Sequence, residues 1–268
     1  MKAEISKRWR WLGVEFVVIM LGVLAALFVD TWVEDRDNAL KAADYRHRLI
    51  ADLERDIQNI DAVITYYEGI RSYGLLALED LEGRRRLEDF DLLLAAFNAA
   101  EEWGFRLESA TYSDLQSTGG LALLDDVEFR LALSDYHRQA ITRGEVWALP
   151  TRYRELARGV IPNDLQAAIH ESCVADPNDL LPLLVADSVG SHFPAAIEPL
   201  TGSAALEGVC GLDPQDFDLS RAAEELRRDS EIERELRYRN SEVRVSIALF
   251  KGQKAMAQEL LLQLRNQE

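Results

Sequence analysis

An apolar run near the amino terminus, "LGVEFVVIMLGVLAALFV", constrains this chain more than any other feature of its sequence. It covers residues 12–29, and Glu15 is its only charged side chain. At about 1.5 Å per residue, a helix of this length measures roughly 27 Å, close to the thickness of the hydrocarbon core of a bilayer. The run therefore predicts one transmembrane helix, with bounds at residues 12–32.

The residues that flank the run predict its orientation. Tryptophans, whose indole rings prefer the headgroup regions, lie at Trp9, Trp11 and Trp32. Residues 1–11 carry four basic side chains and one acidic one, whereas residues 30–41 carry two basic and four acidic ones. By the positive-inside rule, residues 1–11 form a cytoplasmic tail and the bulk of the chain lies outside.

Two alternatives explain the run less well. A cleaved signal peptide also has a basic region before an apolar one, but "LAALFVDTW" has no clear small-x-small cleavage site and the run is long. A buried core helix would not account for the flanking tryptophans or for the charge asymmetry. We therefore expect a retained anchor.

The acidic balance of the remaining chain limits its partners. The formal charge is −17, and residues 16–268 hold 26 basic against 45 acidic side chains. Such a surface repels phosphate backbones and anionic headgroups, so we expect no nucleic-acid binding. Cationic partners are permitted by the charge but not indicated by it.

The two cysteines, Cys173 and Cys210, lie in one proline-rich stretch. In an oxidising periplasm they are expected to pair, and the bridge would close a loop worth roughly 4 kcal/mol of stability. A zinc site that adds His170 and His192 is the alternative, because its ligand types fit although its spacings match no compact finger. The disulfide is favoured, and no metal is predicted.

Beyond the anchor the pattern is helical. Apolar residues alternate at spacings of three and four from Ile50 onward, so we expect one helix from the membrane to about Glu82, with Gly69 and Gly74 as places for a bend. Gly83 followed by three arginines predicts the helix stop. No strand pattern occurs in the sequence.

Further helices are predicted along the rest of the chain. One begins at Asp89, one runs from about Ser109 to Gly119 and Gly120, and one begins with a capping box formed by Asp125 and Glu128. Pro150 breaks or kinks this last helix. The predicted parts are an anchor over 12–32, a periplasmic helical bundle over 33–161, an irregular proline-rich insertion over 162–215, and helix again over 216–268. The fold class is all-α, an elongated antiparallel helical bundle on one membrane helix.

Residues 14–57, "VEFVVIMLGVLAALFVDTWVEDRDNALKAADYRHRLIADLERDI", resemble a family of bacterial single-span membrane proteins of unknown function. Their anchors are similar to "LEFLLIVLGVLLAL" followed by Asn-Asn-Trp and a charged helix. Here Asp30-Thr31-Trp32 replaces that tripeptide. A second block, "ATYSDLQSTGGLALLDDVEFRLALSDYH", is also similar. The resemblance covers about the first 140 residues and implies a helical protein anchored in the inner membrane, with no established activity.

No catalytic signature occurs: the chain has no Walker A, G-x-G-x-x-G, H-E-x-x-H, G-x-S-x-G or C-x-x-C-H sequence. We therefore predict no enzyme activity and no cofactor. Two functions remain open. One is an accessory or scaffolding subunit of an inner-membrane assembly. The other is a ligand-sensing or lipid-binding module that acts through a membrane partner.

The acid inside the apolar run shares a helix face with small residues. Glu15, Ile19, Gly22, Ala26 and Val29 fall on one side, and Gly22 with Ala26 forms a small-xxx-small pair that lets another helix approach closely. Glu15 either snorkels toward the basic tail or contacts a partner helix. The face is a predicted seam for a membrane partner or for self-association.

Overall fold

A computed structural model describes residues 2–102, 107, 109–124, 126–147, 151–172 and 217–266; at 2–15, 17–18, 140–147 and 170–172 it describes the backbone alone. Every regular element in these residues is helical, which confirms the predicted helical bundle. The helices are α1 (Lys2–Leu81), α2 (Asp89–Ala99), α3 (Ala110–Thr118), a 3-10 helix (Gly120–Leu123), α4 (Val127–Trp147), α5 (Arg152–Val160), α6 (Asn163–Ser172), α7 (Leu219–Arg228) and α8 (Ser230–Arg265).

The chain divides into two compact units, and α1 contributes to both. Unit 1 comprises Met1–Ala51 and Ala110–Arg130, and unit 2 comprises Asp52–Ser109 and Leu131–Glu268. Each unit therefore joins segments that are distant in sequence.

In unit 1 an exposed ion pair joins α3 to the first part of α1. Arg48 on α1 donates to Asp114 on α3 at 3.4 Å and to Asp44 at 2.6 Å. Thr118 closes the end of α3 by donating to the Asp114 carbonyl at 2.7 Å. Gly119 then takes a φ of 72°, as the predicted helix stop requires.

The start of α4 corrects one predicted cap. The capping residue is Asp126, whose Oδ1 accepts from the backbone N–H groups of Glu128 at 2.8 Å and Phe129 at 3.2 Å. The prediction of Asp125 was wrong by one residue, because two adjacent aspartates offer the same signal and only backbone geometry selects between them.

In unit 2, α1 ends as the sequence predicts. Gly83 has a φ of 71°, and its N–H donates to the Asp80 carbonyl at 2.9 Å, while Arg84 N–H donates to the Glu79 carbonyl at 2.9 Å. These bonds satisfy carbonyls that the last turn leaves without intrahelical partners. The chain then turns into α2.

The core of unit 2 surrounds α2, whose residues 90–99 are all buried, the polar Asp91 and Asn98 among them. It packs against α5, α7 and the end of α1. The large side chains of this core include Tyr73, Phe90, Leu93, Phe97, Tyr153, Leu165, Leu226 and Leu236. A second cluster joins α1 to α8, where the rings of Tyr67 and Phe250 stack at 5.6 Å between centroids. A helix buried on all sides is the expected centre of a small bundle.

Helix α8 runs antiparallel to the second part of α1. Lys254 donates to Asp61 at 2.6 Å, and Arg237 donates to Glu82 at 2.9 Å, so later positions of α8 meet earlier positions of α1. All four residues belong to unit 2, and their ion pairs lie along the edge of the contact between the two helices.

Gly74 has a different role from the predicted bend. Helix α1 continues through it, and a Cβ built there would lie 2.9 Å from Cγ of Asn240 on α8 and closer still to its Oδ1. The glycine therefore permits close approach of two helices. The sequence shows an interruption at Gly74 but not the residue that faces it.

Residues 148–150 lie outside the described part of the chain, and a new helix, α5, begins at Arg152 after an extended Thr151, with φ −80° and ψ 150°. Thr151 caps α5 by accepting from Arg154 N–H at 3.3 Å. The extended backbone at Thr151 shows that α5 is a separate helix, which agrees with the predicted break rather than with a kink. Cys173, His192 and Cys210 lie outside the described residues, as does most of the predicted insertion, so the disulfide stays a prediction.

Candidate functional site

The N-terminal apolar segment, residues 16–33, is the largest set of exposed apolar side chains among the described residues. It includes consecutive positions, so these side chains surround the whole circumference of α1, with Phe28 at 73% exposure. Its exposed large members are Phe16, Ile19, Met20, Leu21, Val23, Leu24, Leu27, Phe28, Val29, Trp32 and Val33. By contrast, the apolar side chains of α1 beyond Leu49 are mostly buried in the bundle.

Polar groups at the end of this segment are satisfied locally. Thr31 Oγ1 donates to the Leu27 carbonyl at 2.9 Å, a bond that lets a hydroxyl sit in an apolar helix. The Arg36 guanidinium lies 5.9 Å from the ring centroid of Trp32. Nowhere in the described part of the chain does a helix have both the length and the apolarity needed to cross a membrane.

The predicted seam lies on the exposed surface of α1. Ile19, Gly22, Ala26 and Val29 are exposed, and a Cβ added to Gly22 would meet nothing within 4 Å. Trp32 is exposed as well. The side chains of Glu15, Trp9 and Trp11 are not described, so their predicted roles stay untested. The seam is open to a partner helix at every position whose side chain is described.

A buried polar cluster joins α1, α4 and α8. Tyr136 donates to Asp56 Oδ2 at 2.9 Å, and Gln253 donates to the Tyr136 carbonyl at 3.1 Å. Burial, together with Asp56, raises the pKa of Tyr136 far above its usual range. Burial lowers the pKa of His137 to about 4, an effect that Asp52 opposes. Both side chains are therefore neutral at pH 7, and the cluster fixes helix register rather than offering a reactive group.

A second cluster of charges ties α5 and α8 to the segment after α2. Arg158 donates to Glu101 and stacks over the ring of Phe97 at 3.3 Å from its centroid, while Arg239 donates to the Glu101 carbonyl at 2.7 Å. Burial lowers the pKa of Arg158, and the carboxylate of Glu101 acts against this shift. Burial raises the pKa of Glu102, and the guanidinium of Arg239 acts against that shift. The charges compensate one another inside the bundle, as buried ions must.

A third buried charge, Arg227 on α7, clamps the turn between α1 and α2. Its guanidinium donates to both carboxylate oxygens of Asp80, at 2.7 and 3.2 Å, to Asp89 at 2.6 Å and to the Leu87 carbonyl at 3.0 Å. The Asp80 side chain is 0% exposed and that of Arg227 is 9% exposed. Asp80 also accepts from Leu87 N–H at 2.6 Å.

None of these three clusters is visible in the sequence. Arg227 and Asp80 are 147 positions apart, and neither sits in a motif. What the clusters share is buried charged and polar groups that contact other groups of the protein, which suits them to hold helices together. Glu102 Oε1, Arg158 Nε and Arg239 Nε are nevertheless buried without a hydrogen-bond partner in the described part of the chain. Among the described residues, the N-terminal apolar segment is the largest apolar surface left open to other molecules.

Comparison with known proteins adds no identity. No protein family, no curated protein and no solved structure matches this chain.

Proposed function

We propose that this chain is a non-enzymatic interaction protein of the bacterial inner membrane, anchored by residues 12–32. In this proposal residues 1–11 are cytoplasmic, the helical bundle is periplasmic, and the protein serves as an accessory or scaffolding subunit of a membrane assembly. The exposure of apolar side chains around the whole circumference of α1 at residues 16–33 carries the proposal.

Residues 16–33 are better suited to lipid than to water. Burying apolar surface contributes about 25 cal/mol of free energy per Å². Eleven large exposed apolar side chains around one helix are therefore unfavourable in water and favourable in lipid. A helix also satisfies its own backbone groups, which lipid demands. The resemblance to bacterial single-span proteins agrees with this placement and supplies no activity.

Within the anchor, the proposed docking seam is the face that carries Gly22 and Ala26. Helices in lipid associate through close packing, and small residues let their backbones approach. A Cβ on Gly22 would meet no atom of the described residues within 4 Å, so the described part of the fold does not require a glycine there. An acid at Glu15 on the same face would add a polar contact to a partner helix.

Purification of the full chain in mild detergent, followed by mass spectrometry of co-purifying chains and lipids, tests the proposed function. We expect a defined protein partner or a self-associated form. A monomeric chain that carries a stoichiometric small molecule and no protein partner would contradict the interaction role and favour the ligand-sensing alternative.

The seam has a matched pair of variants. Ala25 and Ala26 are adjacent and both exposed, but they lie about 100° apart around the helix. We expect Ala26→Leu, Gly22→Leu and Glu15→Ala to weaken association in detergent, and Ala25→Leu to leave it nearly unchanged. Equal association of all four variants with the wild type would discard the seam and leave the anchor standing.

A further inference from the structure

Helix α8 has two faces that follow the same seven-residue repeat. Its inward face is buried at alternating spacings of four and three, at Arg239, Val243, Ser246, Phe250, Gln253 and Ala257. Its outward face follows the same alternation from Tyr238 to Leu262, and every position of it is exposed. We call this outward row the outer stripe of α8.

The composition of the outer stripe is unusual for a face in water. It comprises Tyr238, Ser241, Val245, Ala248, Gly252 and Ala255, and then Glu259 and Leu262. Only one of the eight positions is charged, although 29% of the chain is charged and solvated helix faces concentrate such residues. Tyr238 is 62% exposed and Val245 is 53% exposed. Apolar and small residues at heptad spacing are the pattern of a helix–helix contact.

Gly252 gives independent support, because no described residue of its own chain explains it. Glycine is among the least favoured residues inside a helix, and α8 extends for 36 residues around this one. At Gly74 the fold supplies a reason, since a Cβ would strike Asn240. At Gly252 a Cβ would meet no atom of the described residues within 4 Å. The neighbouring Ala248 and Ala255 are small as well, so another helix could approach this part of the stripe closely.

The charges beside the stripe favour a second copy in parallel register. On one edge lie Arg237, Arg244 and Lys251, spaced by seven, and on the other lies Glu242. Parallel pairing of two copies brings Arg237 of one copy near Glu242 of the other, since residues five apart on these edges meet across a parallel seam. Antiparallel pairing sets the basic edges against each other, which is repulsive.

We propose that the outer stripe of α8 is the surface through which two copies of this chain associate, with their α8 helices parallel. Arg237 keeps its present bonds to Glu82 and Glu233 on its own chain, so it lies at the rim of the pair. This inference deepens the proposed interaction function, on which it rests, by naming a second copy of the chain as one partner.

Site-specific cross-linking of the full chain in membranes tests the register. In a parallel pair, residue 241 of one copy faces residue 241 of the other, so Ser241→Cys is expected to form a covalent dimer under mild copper-phenanthroline oxidation. Ala167→Cys, at an exposed alanine of α6, is the matched control, and the wild type gives the background from Cys173 and Cys210. A Ser241→Cys signal no higher than these two would overturn the proposal.

A second substitution tests the stripe itself. Ala248→Arg, introduced together with Ser241→Cys, places two like charges on the seam and should reduce the cross-linked product at least about tenfold. Ala167→Arg in the same background should not. An undiminished product refutes the stripe. If Ala248→Arg instead releases a different co-purifying protein, and no homodimer forms, that protein occupies the stripe and self-association is refuted.

The two proposals fail in different ways. Loss of the chain from the membrane fraction, with Ser241→Cys dimers still formed, would overturn the anchor but not the stripe. A chain retained in the membrane that purifies with its partners but shows no dimer through residue 241 would overturn the stripe alone.

Discussion

The Arg227 clamp gives the sharpest test of how unit 2 is held together, through the substitution Arg227→Met. The guanidinium makes two bonds to Asp80, one to Asp89 and one to the Leu87 carbonyl. Methionine keeps much of the apolar stem but none of these donors. Asp80, whose side chain is 0% exposed, then remains as a buried carboxylate that has lost its cation.

The burial of Asp80 determines how much stability Arg227→Met removes. Removing one partner of a buried ion pair costs about 3–5 kcal/mol, because the remaining charge stays desolvated. In a unit of this size each kcal/mol shifts the melting temperature by roughly 2–4 °C, so we expect Arg227→Met to lower it by about 10 °C. The N–H of Leu87 still donates to Asp80, which offsets part of the loss.

The neighbouring residue supplies the control. Arg228 is 79% exposed and pairs with Glu224 in solvent, so Arg228→Met should cost about 0–1 kcal/mol. The assay is thermal unfolding of the full chain in mild detergent, followed by circular dichroism. Equal melting temperatures for Arg227→Met and Arg228→Met would refute the argument that burial and convergence make Arg227 a clamp.

Three further predictions can be checked by urea unfolding of the full chain. The pKa of His137 is about 4 when folded and 6.5 when unfolded, so the unfolded state binds more protons between those values and stability falls as pH falls through that window. Between pH 7 and 4.5 the free energy of unfolding of the wild type should fall by about 2 kcal/mol more than that of His137→Gln. Equal losses in the two proteins would contradict the lowered pKa of His137. Asp126→Ala should lower the free energy of unfolding by about 1 kcal/mol, because α4 loses its N-cap. An unchanged free energy of unfolding would indicate that Asp125 rather than Asp126 caps the helix. Gly83→Ala should cost about 1 kcal/mol because φ is positive, whereas Gly159→Ala, in open space on α5, should be neutral or stabilising; equal effects would remove φ as the cause.

Local features of this fold were predictable from the sequence. The stops of α1 and α3 follow from Gly83 and Gly119, because glycine reaches positive φ at little cost and each stands at the end of an apolar repeat. These signals lie within a few residues of the feature that they predict.

Features that depend on distant partners were not predictable. Nothing in the sequence around Gly74 indicates Asn240, and nothing near Asp80 indicates Arg227, because such pairs form only when helices pack. The outer stripe of α8 has a visible seven-residue spacing, but the spacing does not say which of two rows faces the core. The anchor was predicted from the apolar run and the residues that flank it, since a lipid environment requires apolar side chains along the whole of a span.

Alkaline carbonate extraction of cell membranes tests the central claim most directly. The wild-type chain should remain in the pellet. Leu21→Arg with Leu24→Arg should release it, because each arginine costs about 2.5–3.5 kcal/mol at the centre of a span. Leu40→Arg with Leu75→Arg, at two exposed leucines outside the N-terminal apolar segment, should not. Recovery of the wild-type chain in the carbonate supernatant would contradict the anchor.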